Sequence, residues 1–210
     1  RFMRATKFDA NKMLERLKGY EEAWNEAKAN NFYPDVEKAI GCPLSVFLQM
    51  YPNIYYGNAK NGCPVSYFKA GKLDSEGLLC LMKVADTARY FWHAFIYVFT
   101  VYIARSHAKD PNFVRCEFIS VIDLKGLSSS TLNSEAMDTM KLMASIADCF
   151  PETLHLMIVL NTPSWFSISW TIIRRFIDPR TAKKIEIYSH SSSRGQERLA
   201  ELIDRSAVPS

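Results

Sequence analysis

The sequence of 210 residues lacks the short glycine-containing motifs that mark many families of enzymes. It contains no GxSxG, the turn that presents a catalytic serine, and no GxxxxGK or GxGxxG, the loops that hold nucleotide phosphates. The serine-rich run Ser128–Thr131 lies outside any such motif, and turn formation and helix capping account for it. These absences argue against an enzyme, so we predict no catalytic residue and no cofactor.

Cysteine and histidine are too scattered to suggest a cross-linked or metal-bound fold. The five cysteines are odd in number and include no CxxC pair, and the four histidines include no HxxxH pair. We therefore predict free thiols in a reducing compartment, the cytoplasm, without a disulfide framework and without a metal site.

Long apolar runs and strong charge are also missing. A membrane-spanning helix needs about twenty apolar residues, whereas the uncharged and strongly apolar run Phe91–Ala104 is shorter and is bounded by Arg89 and Arg105. The run therefore predicts a buried helix. The net charge of +4 is mild, and no RRM or KH signature accompanies it. Nucleic acid is not predicted as a partner.

Three short apolar runs alternate with two helix-length segments in the second half of the chain. The runs are Phe118–Leu124, Leu154–Leu160 and Ile185–Tyr188. Apolar runs without polar alternation are typical of strands that are covered on both faces. Strands that alternate with helices form a mainly parallel sheet. The sequence therefore predicts the α/β class.

Other segments give less regular signals. Asp9 is a candidate N-cap for an amphipathic helix that reaches Lys28, and Asn133 or Ser134 caps a second helix that ends near Cys149. The further predicted segments are a turn-rich loop over Pro34–Pro64, a strand over Val65–Ala70, a long helical stretch over Leu78–Ala104 and a short helix over Glu197–Asp204.

One predicted helix is apolar around most of its circumference. Ser164 is its candidate cap, and Pro179 limits its far end. Its apolar residues are Trp165, Phe166, Ile168, Trp170, Ile172, Ile173, Phe176 and Ile177. A helix of this kind is either buried on every side or faces something less polar than water.

Several sequence motifs in order along the chain resemble one known family. They are RFMRATKFDANKMLERL at 1–17, NGCPVSY at 61–67, DLKGL at 123–127, FPETL at 150–154, LNTP at 160–163 and RFIDPRTAKKI at 175–185. This series resembles the CRAL-TRIO lipid-binding domains, which include phosphatidylinositol/phosphatidylcholine transfer proteins and tocopherol- and retinaldehyde-binding proteins. The resemblance implies a small N-terminal all-helical region at 1–34. It also implies a lipid-binding domain at 35–210, whose sheet is the floor of an apolar lipid pocket.

The resemblance also implies which residues contact a lipid headgroup. Glu152, Lys184 and Ser120 match positions around an inositol headgroup, and Tyr55 matches a tyrosine that faces choline. Four positions depart from the family pattern. Asn25 and Glu26 stand beside Trp24 where basic residues are expected, Phe118 replaces a hydroxyl residue, and Ser66 replaces a tyrosine.

The apolar helix and the basic residues around it are implied to form a movable lid that contacts the membrane. The basic, membrane-facing residues are Arg174, Arg175, Arg180 and Lys183. Basic side chains near an anionic bilayer contribute about 1 kcal/mol each. The expected location is therefore the cytoplasm, with peripheral contact to membranes.

The resulting hypothesis is a monomer that binds one phospholipid, of the phosphatidylinositol or phosphatidylcholine class, and exchanges or presents it at membranes. Three alternatives stay open at this point. The domain could be a lipid sensor within a larger protein or a carrier of another lipophile, such as a tocopherol, retinoid or sterol. It could also be a hydrolase acting on a lipid ester, although it lacks the nucleophile motif.

Overall fold

The computed structural model describes residues 1–209 and has an α/β architecture built on one five-stranded sheet. The strands lie side by side in chain order: β1 (Asn53–Asn58), β2 (Pro64–Phe68), β3 (Phe118–Asp123), β4 (Leu154–Thr162) and β5 (Ile185–Ser189). β1 pairs antiparallel with β2, and the other neighbouring strands pair in parallel. The predicted mainly parallel sheet is confirmed.

β1 is the strand that the sequence did not reveal. The predicted loop Pro34–Pro64 contains this strand as well as helices α3 (Val36–Ile40) and α4 (Leu44–Met50), so that prediction is wrong. β1 lies at the edge of the sheet and has several exposed residues. It therefore lacks the continuous apolar run of a strand that is covered on both faces. Its register with β2 also shifts near Gly57, which has a φ of +67°.

The N-terminal region is helical, as predicted. α1 covers Phe2–Ala5 and α2 covers Ala10–Ala29. The Asp9 side chain accepts the N–H of Lys12 at 3.1 Å, which confirms the predicted cap. α2 packs into a helical core that includes Phe150. Because these helices share a core with the rest of the chain, the division between 1–34 and 35–210 stays a sequence-based prediction.

The long helical stretch predicted over Leu78–Ala104 is interrupted, so its predicted bounds are wrong. The segments are α5 (Ser75–Leu81), α6 (Thr87–Tyr97), a π-helical segment (Val98–Ile103) and α7 (Ala104–Lys109). Met82 and Lys83 have extended backbone conformations, which end α5 before α6 begins. α6 is buried, as its uncharged run predicts.

The helices of the second half frame the sheet. They are α8 (Ser134–Ala147), α9 (Phe166–Ile173), α10 (Pro179–Ala182) and α11 (Arg194–Leu202). Asn133 caps α8 by accepting the N–H of Ala136 at 2.9 Å. Ser164 does not cap α9, because Trp165 occupies the cap position and no side chain bonds the free N–H groups there. α9 continues as a 3₁₀ turn over Arg174–Phe176.

The two faces of the sheet have different surroundings. One face packs against α11 and forms a dense core that includes Val65, Ile119, Ile158 and Leu199. The opposite face lines a cavity beneath α6, α8 and α9. Among residues 1–209, no helix combines the length and the apolar character that crossing a membrane requires.

Candidate functional site

The cavity has a volume of ≈ 460 Å³ and is lined mainly by apolar side chains. The sheet is its floor, as predicted. α6 contributes Phe91 and Phe95, α8 contributes Met140 and Met143, and α9 contributes Trp170 and Ile173. This volume lies within the range of about 300–1,000 Å³ that is typical of small-molecule sites. The cavity therefore has the size and the apolar lining of a site for an apolar ligand.

One row of side chains crosses the whole floor. The strand registers place Tyr55 opposite Ser66, Ser66 opposite Ser120, Ser120 opposite Met157, and Met157 opposite Ile185. All five residues line the cavity. The row is polar over β1 to β3 and apolar over β4 and β5. The fold therefore brings the predicted residues Tyr55 and Ser120 onto the same surface.

Glu152 and Lys184 are neighbours, although they lie in separate segments of the chain. Lys184 Nζ is 3.7 Å from Glu152 Oε2 and donates a hydrogen bond of 2.7 Å to the carbonyl of Leu154. Both residues are half-buried and line the cavity. Glu152 has a φ of +59°, and a non-glycine residue in that region is uncommon and is often found at functional sites.

Arg180 extends this polar cluster to the N-terminal helix. Its side chain is 3.9 Å from Glu152 Oε1 and also pairs with Asp178. It donates hydrogen bonds to the carbonyls of Arg4 and Ala5 at the end of α1. Burial of Asp178 opposes its ionisation, but the backbone N–H and guanidinium of Arg180 lower the pKa of that carboxyl below its usual value. Arg180 was predicted to face the membrane, and these contacts favour an additional role in fixing Glu152.

The structure does not bring all predicted headgroup residues together. Tyr55 is on β1 and Lys184 directly precedes β5, at the other end of the sheet. Adjacent strands are about 4.8 Å apart, so four strand intervals separate these residues by about 19 Å. The cavity therefore has two separate polar regions.

The polar region around Tyr55 is aromatic. The Tyr55 ring stacks on Tyr102 with 4.4 Å between centroids, and Tyr55 lies opposite Ser66 in the pairing of β1 with β2. Burial raises the pKa of Tyr55 and of nearby Tyr90, so both stay neutral. Asn53 also lines the cavity, and its buried Oδ1 has no hydrogen-bond partner among the residues described. Sequence reasoning missed Asn53 because it lies in the segment that was predicted as a loop.

The helix that was predicted as a lid has two different faces. Phe166, Trp170 and Ile173 line the cavity, and Phe166 is only 7% exposed. Ile168 and Ile172 are 71% and 46% exposed. Trp165 packs against a buried cluster that includes Leu124 and Val159 of the sheet region, and Ile177 lines the cavity beyond the end of the helix.

One contact crosses the space between α8 and the end of this helix. Lys141 of α8 lies over the ring of Phe176, with Nζ 5.4 Å from the ring centroid. Phe176 lines the cavity and is also 38% exposed. A cation–π contact at an exposed site contributes only about 0.5–1 kcal/mol. This contact is therefore weak enough to open.

The basic residues near α9 lie on the exposed side of the molecule. Arg174, Arg175 and Lys183 are exposed, and within residues 1–209 none of them forms a salt bridge. Arg174 and Arg175 immediately follow α9, which carries the exposed residues Ile168 and Ile172, and Lys183 immediately follows α10. Cationic and apolar groups together are the combination that an anionic membrane surface attracts.

Comparison with known proteins supports the resemblance to CRAL-TRIO domains. A sequence model of the CRAL/TRIO domain matches residues 48–210. The chain is similar to the phosphatidylinositol/phosphatidylcholine transfer proteins SFH9 and SFH4 of Arabidopsis thaliana, at 26% identity over 210 residues and 28% over 216. Each alignment covers 100% of this chain but only 35% and 33% of the relatives, so the chain spans about a third of their length.

A solved structure shares the fold. The crystal structure of Sfh5 superimposes with a TM-score of 0.66 at 18% identity, covering 93% of this chain and 64% of the other. At this identity the likeness concerns the fold alone.

Proposed function

Because the chain belongs to the CRAL/TRIO family of lipid-binding domains, we propose that it binds one phospholipid in the cavity and exchanges or presents it at membranes. The observation that carries this proposal is an apolar cavity with a polar cluster at one side and a helix with two apolar faces above it. Transfer of a lipid breaks no covalent bond. The proposed function therefore needs no catalytic residue and no cofactor.

The energetics of lipid transfer explain the need for a closed apolar cavity. Burial of a methylene group contributes about 0.8 kcal/mol, so two chains of about sixteen carbons lose about 25 kcal/mol on leaving a bilayer. Only an apolar environment of comparable extent can offset this loss. The aromatic and methionine side chains of α6, α8 and α9 supply that environment.

The polar cluster of Glu152, Lys184 and Arg180 is the proposed site for an inositol phosphate headgroup. The cations can pair with the phosphate, and the Glu152 carboxylate can accept hydrogen bonds from inositol hydroxyls. Ser120 adds a hydroxyl on the floor. The ligand class proposed is therefore phosphatidylinositol or a related phospholipid.

The separate aromatic region fits a second headgroup. The face of a tyrosine ring attracts a quaternary ammonium group, and Tyr55 and Tyr102 stack beside the cavity. A choline headgroup is the proposed occupant there. Two regions about 19 Å apart would let one cavity accept either headgroup in different orientations.

Membrane contact is assigned to the outer face of α9 and to the basic residues beside it. Ile168 and Ile172 would enter the interface, while Arg174, Arg175 and Lys183 would meet anionic headgroups. The proposed working form is a monomer in the cytoplasm, at a membrane surface, and its five free cysteines suit a reducing compartment.

A sensing role is the second candidate. The chain spans about a third of its relatives, so a bound lipid could be reported to other regions of a larger protein. Exchange rate separates the two candidates. A carrier releases its lipid to acceptor vesicles within minutes, whereas a sensor retains it.

Native mass spectrometry of protein purified from cells tests the proposal. We expect a one-to-one complex whose added mass and fragments identify a phospholipid. A tocopherol, retinoid or sterol of the same stoichiometry would replace the phospholipid assignment. If the protein carries no lipid, and binding assays with phospholipids, sterols and retinoids are all negative, the proposed function is wrong.

A further inference from the structure

Three side chains from separate parts of the chain meet at the end of the sheet where the parallel strands begin. Cys63 directly precedes β2, Glu117 directly precedes β3, and His155 is the second residue of β4. Parallel strands begin at the same edge, so these positions lie side by side. None of the three residues lines the cavity, and the cluster is therefore independent of the proposed lipid site.

The donor atoms of this cluster are close together. One sulfur, one imidazole nitrogen and one carboxylate oxygen all lie within 4.8 Å of one another. His155 Nδ1 is 2.9 Å from Glu117 Oε2. Cys63 is completely buried, whereas Glu117 and His155 are half-buried. A small ion can therefore approach from the side of the carboxylate and the imidazole.

We propose that Cys63, Glu117 and His155 form a binding site for a thiophilic divalent metal ion, with Zn²⁺ as its representative. Thiolate, imidazole and carboxylate are the three ligand types that bind zinc in proteins. Tetrahedral bonds of 2.0–2.3 Å require ligand atoms about 3.5 Å apart. Shifts of the donor atoms by about 1 Å, through side-chain rotation, would bring them to this separation. A water molecule would complete the four ligands.

A nucleophilic role fits these residues less well. The combination of cysteine, histidine and glutamate also occurs in thiol enzymes, but those thiols are accessible and activated. Cys63 is inaccessible, and burial raises its pKa to about 11. A metal ion needs no access for a large substrate, and it displaces the thiol proton as it binds.

Arg115 is the competitor of the metal ion. Its NH1 lies 3.3 Å from Glu117 Oε2, and its side chain is about half exposed. A guanidinium next to a bound dication is unfavourable, so Arg115 must turn towards solvent when metal binds. Removal of this charge should therefore strengthen binding.

Metal titration of the full chain tests the site. Purified protein is titrated with Co²⁺, whose thiolate charge-transfer absorption reports a cysteine ligand, and with Zn²⁺ against a chromophoric chelator. We expect one Zn²⁺ per chain and a thiolate–cobalt band. His155→Gln should weaken zinc binding by roughly tenfold or more, and Arg115→Ala should strengthen it.

Matched variants guard against misfolding and against binding elsewhere. Cys63→Ser should abolish the cobalt band, whereas Cys80→Ser, at an exposed cysteine, should leave both metals bound as in the parent. Circular dichroism checks that each variant is folded, and His155→Gln provides the test if Cys63→Ser is not. Absence of stoichiometric zinc, or equal binding by the folded His155→Gln variant and the parent, would overturn the proposal.

Discussion

Lys184 makes a hydrogen bond that fixes its side chain and an ion pair that places its charge at the cavity. Its ammonium group donates to the Leu154 carbonyl and lies near the Glu152 carboxylate. A half-buried cation that is held in this way is available to a phosphate. The neighbouring Lys183 is exposed and does not line the cavity.

Lys184→Ala should therefore change lipid selection. A hydrogen bond to a charged group contributes about 1.5–3 kcal/mol, so transfer of phosphatidylinositol should fall by roughly tenfold or more. Transfer of phosphatidylcholine, whose choline is proposed to bind near Tyr55, should change much less. Vesicle-to-vesicle transfer of each labelled lipid measures both effects.

Lys183→Ala is the matched control for this prediction, and it should preserve the ratio of the two transfer rates. Equal loss of both activities in Lys184→Ala, at an unchanged melting temperature, would show that Lys184 acts at the membrane surface or has no role.

The sequence predicted some of the residues that line the cavity and missed others for a physical reason. Glu152 and Lys184 were found through the family resemblance, and the fold places them in contact. Asn53 gave no signal, because nothing local shows that an asparagine will lie at an edge strand facing a cavity. The sequence also gave no indication that Cys63 and His155 lie close together, because spacing along a chain does not reveal contacts between neighbouring strands.

At the scale of elements, α9 has an inner and an outer apolar face. Phe166 is buried against the floor of the cavity, whereas Ile168 points outward. The sequence predicted an apolar helix that exceeds the needs of one buried stripe. The sequence could not assign residues to each face, because that assignment depends on where the helix begins. In the structure α9 begins at Phe166, and Ser164 does not cap it.

Aspartate substitutions along α9 should fall into two groups. Ile168→Asp and Ile172→Asp lie at exposed positions, where substitutions usually change stability by less than about 0.5 kcal/mol. They should preserve the melting temperature while abolishing liposome binding and transfer. Phe166→Asp and Ile173→Asp face the interior, and an unpaired buried charge should destabilise the fold by several kcal/mol.

Thr171→Asp is the control, since it adds the same charge at an exposed polar position of this helix. It should reduce liposome binding less than Ile168→Asp does. If each substitution lowers the melting temperature in proportion to its loss of transfer, α9 is an ordinary core helix and not a gate.

The strands show why some elements are easier to predict than others. β3 and β4 were predicted from continuous apolar runs, because a strand covered on both faces needs apolar residues throughout. β5 was predicted from a shorter run, although it lies at an edge of the sheet and is partly exposed. β1 is exposed at alternate positions near its start and contains a bulge. Its Tyr- and Asn-rich sequence is therefore compatible with a loop as well as with an edge strand.

At the scale of the whole molecule, the N-terminal helices and the sheet domain share one aromatic core. Tyr20 packs edge-on against Phe150 with 5.4 Å between centroids, and it also contacts Trp92 of α6 at 6.5 Å. Arg180 adds a polar connection, because it joins α1 to Glu152. Loss of packing in either region should therefore lower the stability of the other region as well.

His93 lies where these two regions meet. Its buried Nδ1 donates to the carbonyl of Phe32 at 3.1 Å, and its ring stacks on Tyr97. Burial lowers the pKa of His93, although the Phe32 carbonyl and the charge of Asp35 oppose the shift. The folded protein therefore prefers neutral His93, and the unfolded chain binds the proton more readily.

The sign of the resulting pH dependence follows from linkage. The contribution of neutral His93 to stability is fully present above the unfolded pKa of about 6.5. It is lost as the pH falls below that value and through the lower folded pKa. A single proton can change the free energy of unfolding by at most about 1.4 kcal/mol per pH unit.

Unfolding by denaturant between pH 7.5 and 5 should therefore show a steeper loss of stability for the parent protein than for His93→Asn. The asparagine amide can still donate to Phe32 but does not titrate. His190→Asn, at an exposed histidine, should lose stability with the same pH dependence as the parent. Because the two regions share a core, probes of Trp24 in α2 and Trp170 in α9 should report the same transition. Parallel stability curves for the parent and His93→Asn would mean that His93 is not the group that couples acid to unfolding.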